Sequence, residues 1–146
     1  MPDRAPSSGA FAGRAHFYTL RVFYEDTDAA GIVYYANYLK FIERGRTEMM
    51  RLLGFEHSAL REAQAVHWAV HRCTIEYRRT ARLDETLTVE SRIAAVRGAS
   101  LDIVQIVRRG EQLIAEATLE LVCIDAAGKP ARLPAPIRKQ LSTLSE

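Results

Sequence analysis

Leu20, Val22 and Tyr24 alternate with Arg21 and Phe23, a two-residue period that predicts a β-strand. The run Asp26-Thr27-Asp28-Ala29-Ala30-Gly31 ends it with turn formers and a glycine free to take positive φ. The period then changes. Tyr38, Ile42, Gly45, Met49 and Leu52 recur at the spacing of one helical face that stops near Gly54, with Asn37 expected as the cap and Gly45 marking close packing against a sheet. Strand patterning returns from Val66 to Arg79, which is rich in β-branched and aromatic residues. Leu87, Val89, Ser91 and Ile93 then alternate with Thr88, Glu90 and Arg92, and Leu101–Arg108 and Leu113–Ile124 follow. Turns at Arg97-Gly98 and Arg109-Gly110-Glu111 make this an antiparallel meander. Gly128 and the prolines at 130, 134 and 136 end the sheet, and Ile137–Leu144 predicts a short closing helix. The sum is an α+β domain, with one long helix packed on a face of a five-stranded antiparallel sheet.

A chain of 146 residues that is 48% hydrophobic has the size and apolar content of one domain with a real core. Residues 1–15, MPDRAPSSGAFAGRA, are rich in Pro, Gly, Ser and Ala and read as a flexible tail ahead of a single domain over 16–146. The net charge of +2 is small and its basic residues are dispersed among acidic ones, which excludes a nucleic-acid surface. Arg78-Arg79 and Arg108-Arg109 read as solvated charges at strand ends. No apolar run approaches the roughly 20 residues that cross a bilayer, and the N-terminus lacks the apolar centre of a secretory signal, so a cytoplasmic location is expected. Cys73 and Cys123 stand apart without a C-x-x-C pattern, and His67 and His71 lie in strand-like sequence. Two buried thiols, no disulfide and no metal site are expected.

Asp28 lies just before a helix start, where free N–H groups and the positive end of the helix dipole stabilise a developing oxyanion beside a carboxylate base or nucleophile. By spacing alone the same residue also fits a turn or capping role. Glu43 and Glu48 are rival carboxylates, but Arg44, Arg46 and Arg51 flank them at ion-pairing distances on the helix.

The run Arg21-Val22, Thr27-Asp28, Gly31-Ile32-Val33 and Tyr38 resembles the active-site signature of the 4-hydroxybenzoyl-CoA thioesterase family of hotdog-fold enzymes. Within it, YEDTDAAGIVYYANYLKFIERGRTE is most similar to the bacterial acyl-CoA thioesterases associated with the Tol-Pal system. CTIEYRRTARLDETLTVE, GASLDIVQ and RLPAPIRKQL extend the likeness over about Phe17 to Leu141. The resemblance implies a hotdog fold, the sheet wrapped round its helix. It implies hydrolysis of an acyl-CoA or acyl-carrier-protein thioester without metal or redox cofactor, CoA being part of the substrate. Asp28 then becomes the catalytic carboxylate, as general base or nucleophile, the backbone N–H of Tyr35 the donor to the thioester carbonyl, and Gly31 the residue that shapes the turn. Asp26 is not the family's catalytic position, and Tyr35 stands where many Tol-Pal-type relatives have His. Tyr34, Tyr35, Tyr38 and Trp68 are expected to line the acyl site, and Arg97, Gly98 and Ser100 to meet the nucleotide of CoA. Hotdog subunits pair with sites between them, so a homotetramer built from dimers is expected, with groups from 51–64 and 97–100 serving a partner's site. A competing reading is a non-catalytic acyl-binding module linked to Tol-Pal. A hotdog hydratase would call for a His near the helix start, and none lies between His16 and His57.

Overall fold

A computed structural model describes residues 1, 4–55 and 66–145; residues 56–64 of the stretch 51–64 lie outside it. In chain order the elements are β1 (Ala10–Ala12), β2 (Ala15–Arg21), a 3-10 turn (Tyr24–Asp26), α1 (Asn37–Leu52), β3 (Val66–Tyr77), β4 (Thr86–Val96), β5 (Ser100–Arg109), β6 (Gln112–Asp125) and α2 (Ala135–Leu144). All strands join one antiparallel sheet in the order β1-β2-β4-β5-β6-β3. The chain leaves α1, crosses to the far edge as β3, and returns to build the β4-β5-β6 meander in the middle.

The sheet has six strands rather than the five read from sequence. The extra one, β1, falls inside the segment expected to be a flexible tail. Ala12 pairs with Ala15 across the two residues Gly13-Arg14, and Gly13 at φ 62 supplies the positive φ that a two-residue hairpin loop needs. The strand before the turn also lies earlier than the alternation from Leu20 to Tyr24 suggests. It ends at Arg21, and Tyr24 turns outward in the 3-10 turn, 84% exposed.

Helix α1 buries Tyr38, Phe41, Ile42, Gly45, Met49 and Met50, close to the face read from periodicity, although Leu52 at its last turn is exposed. A Cβ placed on Gly45 would lie 2.6 Å from Val89 Cγ1 and 3.0 Å from Val89 Cβ, so the bare glycine lets the helix lie directly on β4. The expected cap is corrected: the N-cap is Ala36, and the Asn37 side chain turns upstream instead. Two apolar clusters sit between helix and sheet, one around Phe41, Ile42, Val89 and Val107, the other around Met49, Met50, Ile93 and Leu101. A buried polar link lies under α1. Gln105 donates from Nε2 to the Ile42 carbonyl at 2.7 Å and to Ser91 Oγ at 2.9 Å, and its Oε1 accepts from Arg46 Nη1 at 2.9 Å.

Cys123 is buried, but Cys73 is exposed, because β3 is the last strand of the sheet among the described residues. Arg109 is not a free strand-end charge. Its Nη1 donates to both Glu85 oxygens at 3.0 and 2.9 Å and to the Thr80 carbonyl at 3.0 Å, tying the end of β5 to the segment before β4. Arg78 is likewise paired, with Glu76 and Glu116. Among the described residues no helix is long and apolar enough to cross a membrane.

Candidate active site

The segment between β2 and α1 is anchored before it reaches Asp28. Val22 donates to the Glu85 carbonyl and accepts from Asp84 N–H, both at 2.9 Å. Asp26, 6% exposed, accepts Phe23 N–H on Oδ2 at 2.7 Å, closing the 3-10 turn. Its carbonyl accepts Tyr34 N–H at 3.0 Å and Asn37 Nδ2 at 2.8 Å. Between these anchors Thr27 bridges Val33, Asp28 N–H donates to the Ile32 carbonyl at 2.9 Å, and Gly31 N–H to the Asp28 carbonyl at 3.0 Å. Gly31 sits at φ 77, a conformation that side chains with a Cβ rarely adopt. The turn shape anticipated from the glycine is therefore present.

Asp28 Oδ1 accepts Ala30 N–H at 2.9 Å and Ile32 N–H at 3.4 Å. Its second oxygen has no partner among the described residues, and Asp28 lines an open depression of about 470 Å³ with Tyr24, Thr27, Ala29, Gly31 and Leu83. Three residues past the loop, Tyr35 N–H also has no acceptor among the described residues, since the neighbouring bonds run from Tyr34, Asn37 and Tyr38. A carboxylate oxygen and an uncommitted N–H at the approach to a helix are the two groups a carbonyl addition requires.

The remaining expected residues are distributed. Tyr34 and Tyr35 are exposed and in ring contact at 5.0 Å, and Tyr35 meets Tyr77 edge-on at 6.0 Å. Tyr38 is a core residue at 3% exposure, packed on Tyr77 and Phe41, and burial raises its phenol pKa. Trp68 lies at the start of β3 and lines a different depression with Glu43, Arg46, Ala69, Val70 and Leu121. Glu48 forms the expected ion pair with Arg51 at 3.3 Å, whereas Glu43 accepts from the Thr47 hydroxyl at 2.8 Å. The Arg97–Ser100 turn joins β4 to β5 at the end of the sheet away from Asp28. The intervening β4, Thr86–Val96, runs about 33 Å at about 3.3 Å per residue.

At that turn Arg97 is occupied. It forks onto Asp102 at 2.9 and 2.6 Å, reaches Glu120 at 3.1 Å and donates to Ser100 Oγ at 2.8 Å. The Asp102 bond raises the Arg97 pKa, and Arg97 in turn lowers that of Asp102. Gly98 stands beside a different cation: a Cβ there would come 3.7 Å from Arg132 Nη1. Arg132, Arg138 and Lys139 line a neighbouring depression of about 420 Å³, and their side chains make no hydrogen bond or ion pair to any described residue. Their only signal in the sequence was the basic spacing within RLPAPIRKQL.

The profile of the Thioesterase-like superfamily matches residues 22–141. The chain belongs to this superfamily and has its hotdog fold. The Escherichia coli protein named acyl-CoA thioester hydrolase YbgC is 45% identical over 120 residues, spanning 81% of this chain and 89% of that protein. Acyl-CoA thioesterase YbgC of Haemophilus influenzae is 38% identical over 122 residues, spanning 83% and 90%. A crystal structure of a probable thioesterase from Bartonella henselae superposes with a TM-score of 0.80 at 36% identity, over 82% of this chain and 99% of that one.

Proposed function

We propose that the chain is an acyl-CoA thioesterase in which Asp28 drives hydrolysis and Tyr35 N–H holds the carbonyl oxygen. The observation that carries this reading is that the anchored segment between β2 and α1 holds a carboxylate oxygen and a backbone N–H that have no hydrogen-bond partner among the described residues. The YbgC relatives support the substrate class. As general base, Asp28 takes a proton from water while the oxygen adds to the thioester carbon. Tyr35 N–H holds the resulting oxyanion, and collapse breaks the C–S bond, the proton passing to the CoA sulfur. As nucleophile, Asp28 displaces the CoA thiolate to form a mixed anhydride that water cleaves. A single turnover in isotopically labelled water tests the second route, because label enters the Asp28 carboxylate only when water adds to the Asp28 carbonyl of the anhydride and releases the acyl group as its carboxylate.

Asp28→Asn preserves shape and removes the charge, so kcat is expected to fall by about 10²–10⁴ with the fold intact. Asp26→Asn is expected to leave kcat far closer to wild type, since an amide oxygen still accepts Phe23 N–H. Near-native kcat for Asp28→Asn on a good thioester would refute the assignment.

The CoA phosphates require cations that are not already neutralised. Arg132, Arg138 and Lys139 meet that condition, beside the Arg97–Ser100 turn. Because this end is far from Asp28 within one protomer, the turn serves the Asp28 of a second copy, and the active unit is a dimer that pairs further into a tetramer. The exposed β3 edge and its apolar neighbours Leu39, Val70 and Tyr77 support a subunit contact there. Light scattering that finds a fully active monomer at assay concentration would sink this assembly. Exposed Tyr34, Tyr35 and Tyr77 rings favour a short aliphatic or an aromatic acyl group, to be ranked with a panel of CoA and acyl-carrier-protein thioesters.

A further inference from the structure

A side chain that the reaction itself does not use, Asn37, bridges the two ends of the segment that carries Asp28 and Tyr35. We infer that Asn37 is a positioning residue which, through the Asp26 carbonyl, sets the Tyr35 N–H against the Asp28 carboxylate. The inference rests on the roles given to Asp28 and Tyr35 above.

The Asp26 carbonyl accepts two donors, Asn37 Nδ2 at 2.8 Å and Tyr34 N–H at 3.0 Å. Asp26 is itself held at its carboxylate by Phe23 N–H, so the carbonyl is a fixed post. Asn37 N–H returns to the Tyr34 carbonyl at 2.8 Å, which folds residues 34–37 into a tight turn leading into α1. Tyr34 N–H is thereby committed inward, and the next N–H along the chain, that of Tyr35, is left for a ligand. Asp28 lies two residues beyond Asp26, and Tyr35 two before Asn37. The Asn37–Asp26 bond spans the segment that carries both.

Asn37 is 8% exposed, so water does not easily replace its amide, and a buried carbonyl that loses a donor carries a real penalty. The donor chemistry is specific. Aspartate has the same shape but offers only oxygens to the Asp26 carbonyl, and serine is too short to span the gap.

The test measures kcat, KM and thermal stability for Asn37→Asp, Asn37→Ser, Asp28→Asn and the double variant Asp28→Asn/Asn37→Ser. A displacement of about 1 Å at reacting groups costs up to about a hundredfold. The folded Asn37 variants are therefore expected to lose about ten- to a hundredfold in kcat with little change in KM. Should Asn37→Asp fail to fold, Asn37→Ser carries the measurement without adding a charge. The double variant is expected to be no slower than Asp28→Asn alone, because a misplaced partner costs nothing once the carboxylate is gone. A merely structural Asn37 would instead slow both backgrounds equally. Wild-type kcat in a folded Asn37 variant, or fully additive losses in the double variant, overturns the positioning role while an inactive Asp28→Asn leaves the hydrolytic assignment standing. Near-native kcat in Asp28→Asn overturns both.

Discussion

Gly45→Ala tests how closely α1 must lie on the sheet. In a solvated helix the change is stabilising, by about 1 kcal/mol of helix propensity. Here the new Cβ would sit 2.6 Å from Val89 Cγ1 and 3.0 Å from Val89 Cβ. Rotating Val89 relieves only the first contact. Its Cβ is fixed to the strand, its χ1 is stiff, and the residue is fully buried. Overpacking of this kind costs about 1–3 kcal/mol, so the net effect is a loss of up to about 2 kcal/mol after the propensity gain. For a chain of this size that lowers Tm by a few degrees, at about 2–4 °C per kcal/mol. The measurement is thermal unfolding at a fixed protomer concentration, because association shifts Tm by mass action. Val89→Ala removes the Cγ1 contact but keeps the Val89 Cβ at 3.0 Å, so Gly45→Ala in that background is expected to cost less than in the wild type. A Tm increase for Gly45→Ala in the wild-type background, as propensity alone dictates, would refute the close-packing argument.

Arg138→Ala is expected to raise KM for acyl-CoA by about tenfold, the equivalent of about 1.4 kcal/mol, and to leave hydrolysis of a short acyl-pantetheine thioester unchanged; equal losses on both substrates would rule out phosphate binding. Arg97→Ala is expected to cost about 1 kcal/mol of stability through the loss of its carboxylate partners, read as a Tm decrease of a few degrees, and an unchanged Tm would count against that role. His16 gives a pH signature. Its Nε2 lies 2.7 Å from the Ser8 carbonyl, so the proton sits on Nε2, while Nδ1 is buried without a partner. Burial lowers its pKa, against the Ser8 bond and the field of Glu48, which raise it; from β1 the Phe11 ring meets the imidazole edge-on. A lowered folded-state pKa means that the unfolded chain binds the proton first. Its stability contribution is therefore present above about pH 6.5 and lost as pH falls below it. His16→Gln is expected to flatten the Tm decline between about pH 7.5 and about pH 5.5, and an unchanged slope would exclude His16 as its source.

The sequence made the long elements legible because each repeats its period several times. Helix α1 and strands β3 to β6 fall within a few residues of where the spacing of apolar positions puts them, and the Arg97-Gly98 turn is where the alternation breaks. Strand β1 has three residues, too few to show a period, and its composition matches that of a tail. The exposure of Cys73 was equally hidden. Alternation shows that β3 is a strand, whereas its place at the sheet edge is set by strand order, which no local window contains. Asn37 illustrates a third kind of loss. As a residue before an apolar helical run it has the signature of a cap, but its amide is used eleven residues upstream, on the Asp26 carbonyl.

Charge was the least legible property, and the reason is visible in the register. Asp102 pairs directly with Glu120 across β5 and β6, and like charges opposite one another weaken a sheet. Arg97 reaches both carboxylates and offsets that repulsion, so the cation that looked available at the turn is spent on the strands behind it. Arg109 is spent in the same way on Glu85. Arg132, Arg138 and Lys139 follow the last strand, where no ladder places a carboxylate opposite them. Which cation can meet a phosphate is decided by which carboxylates the strand register brings alongside it.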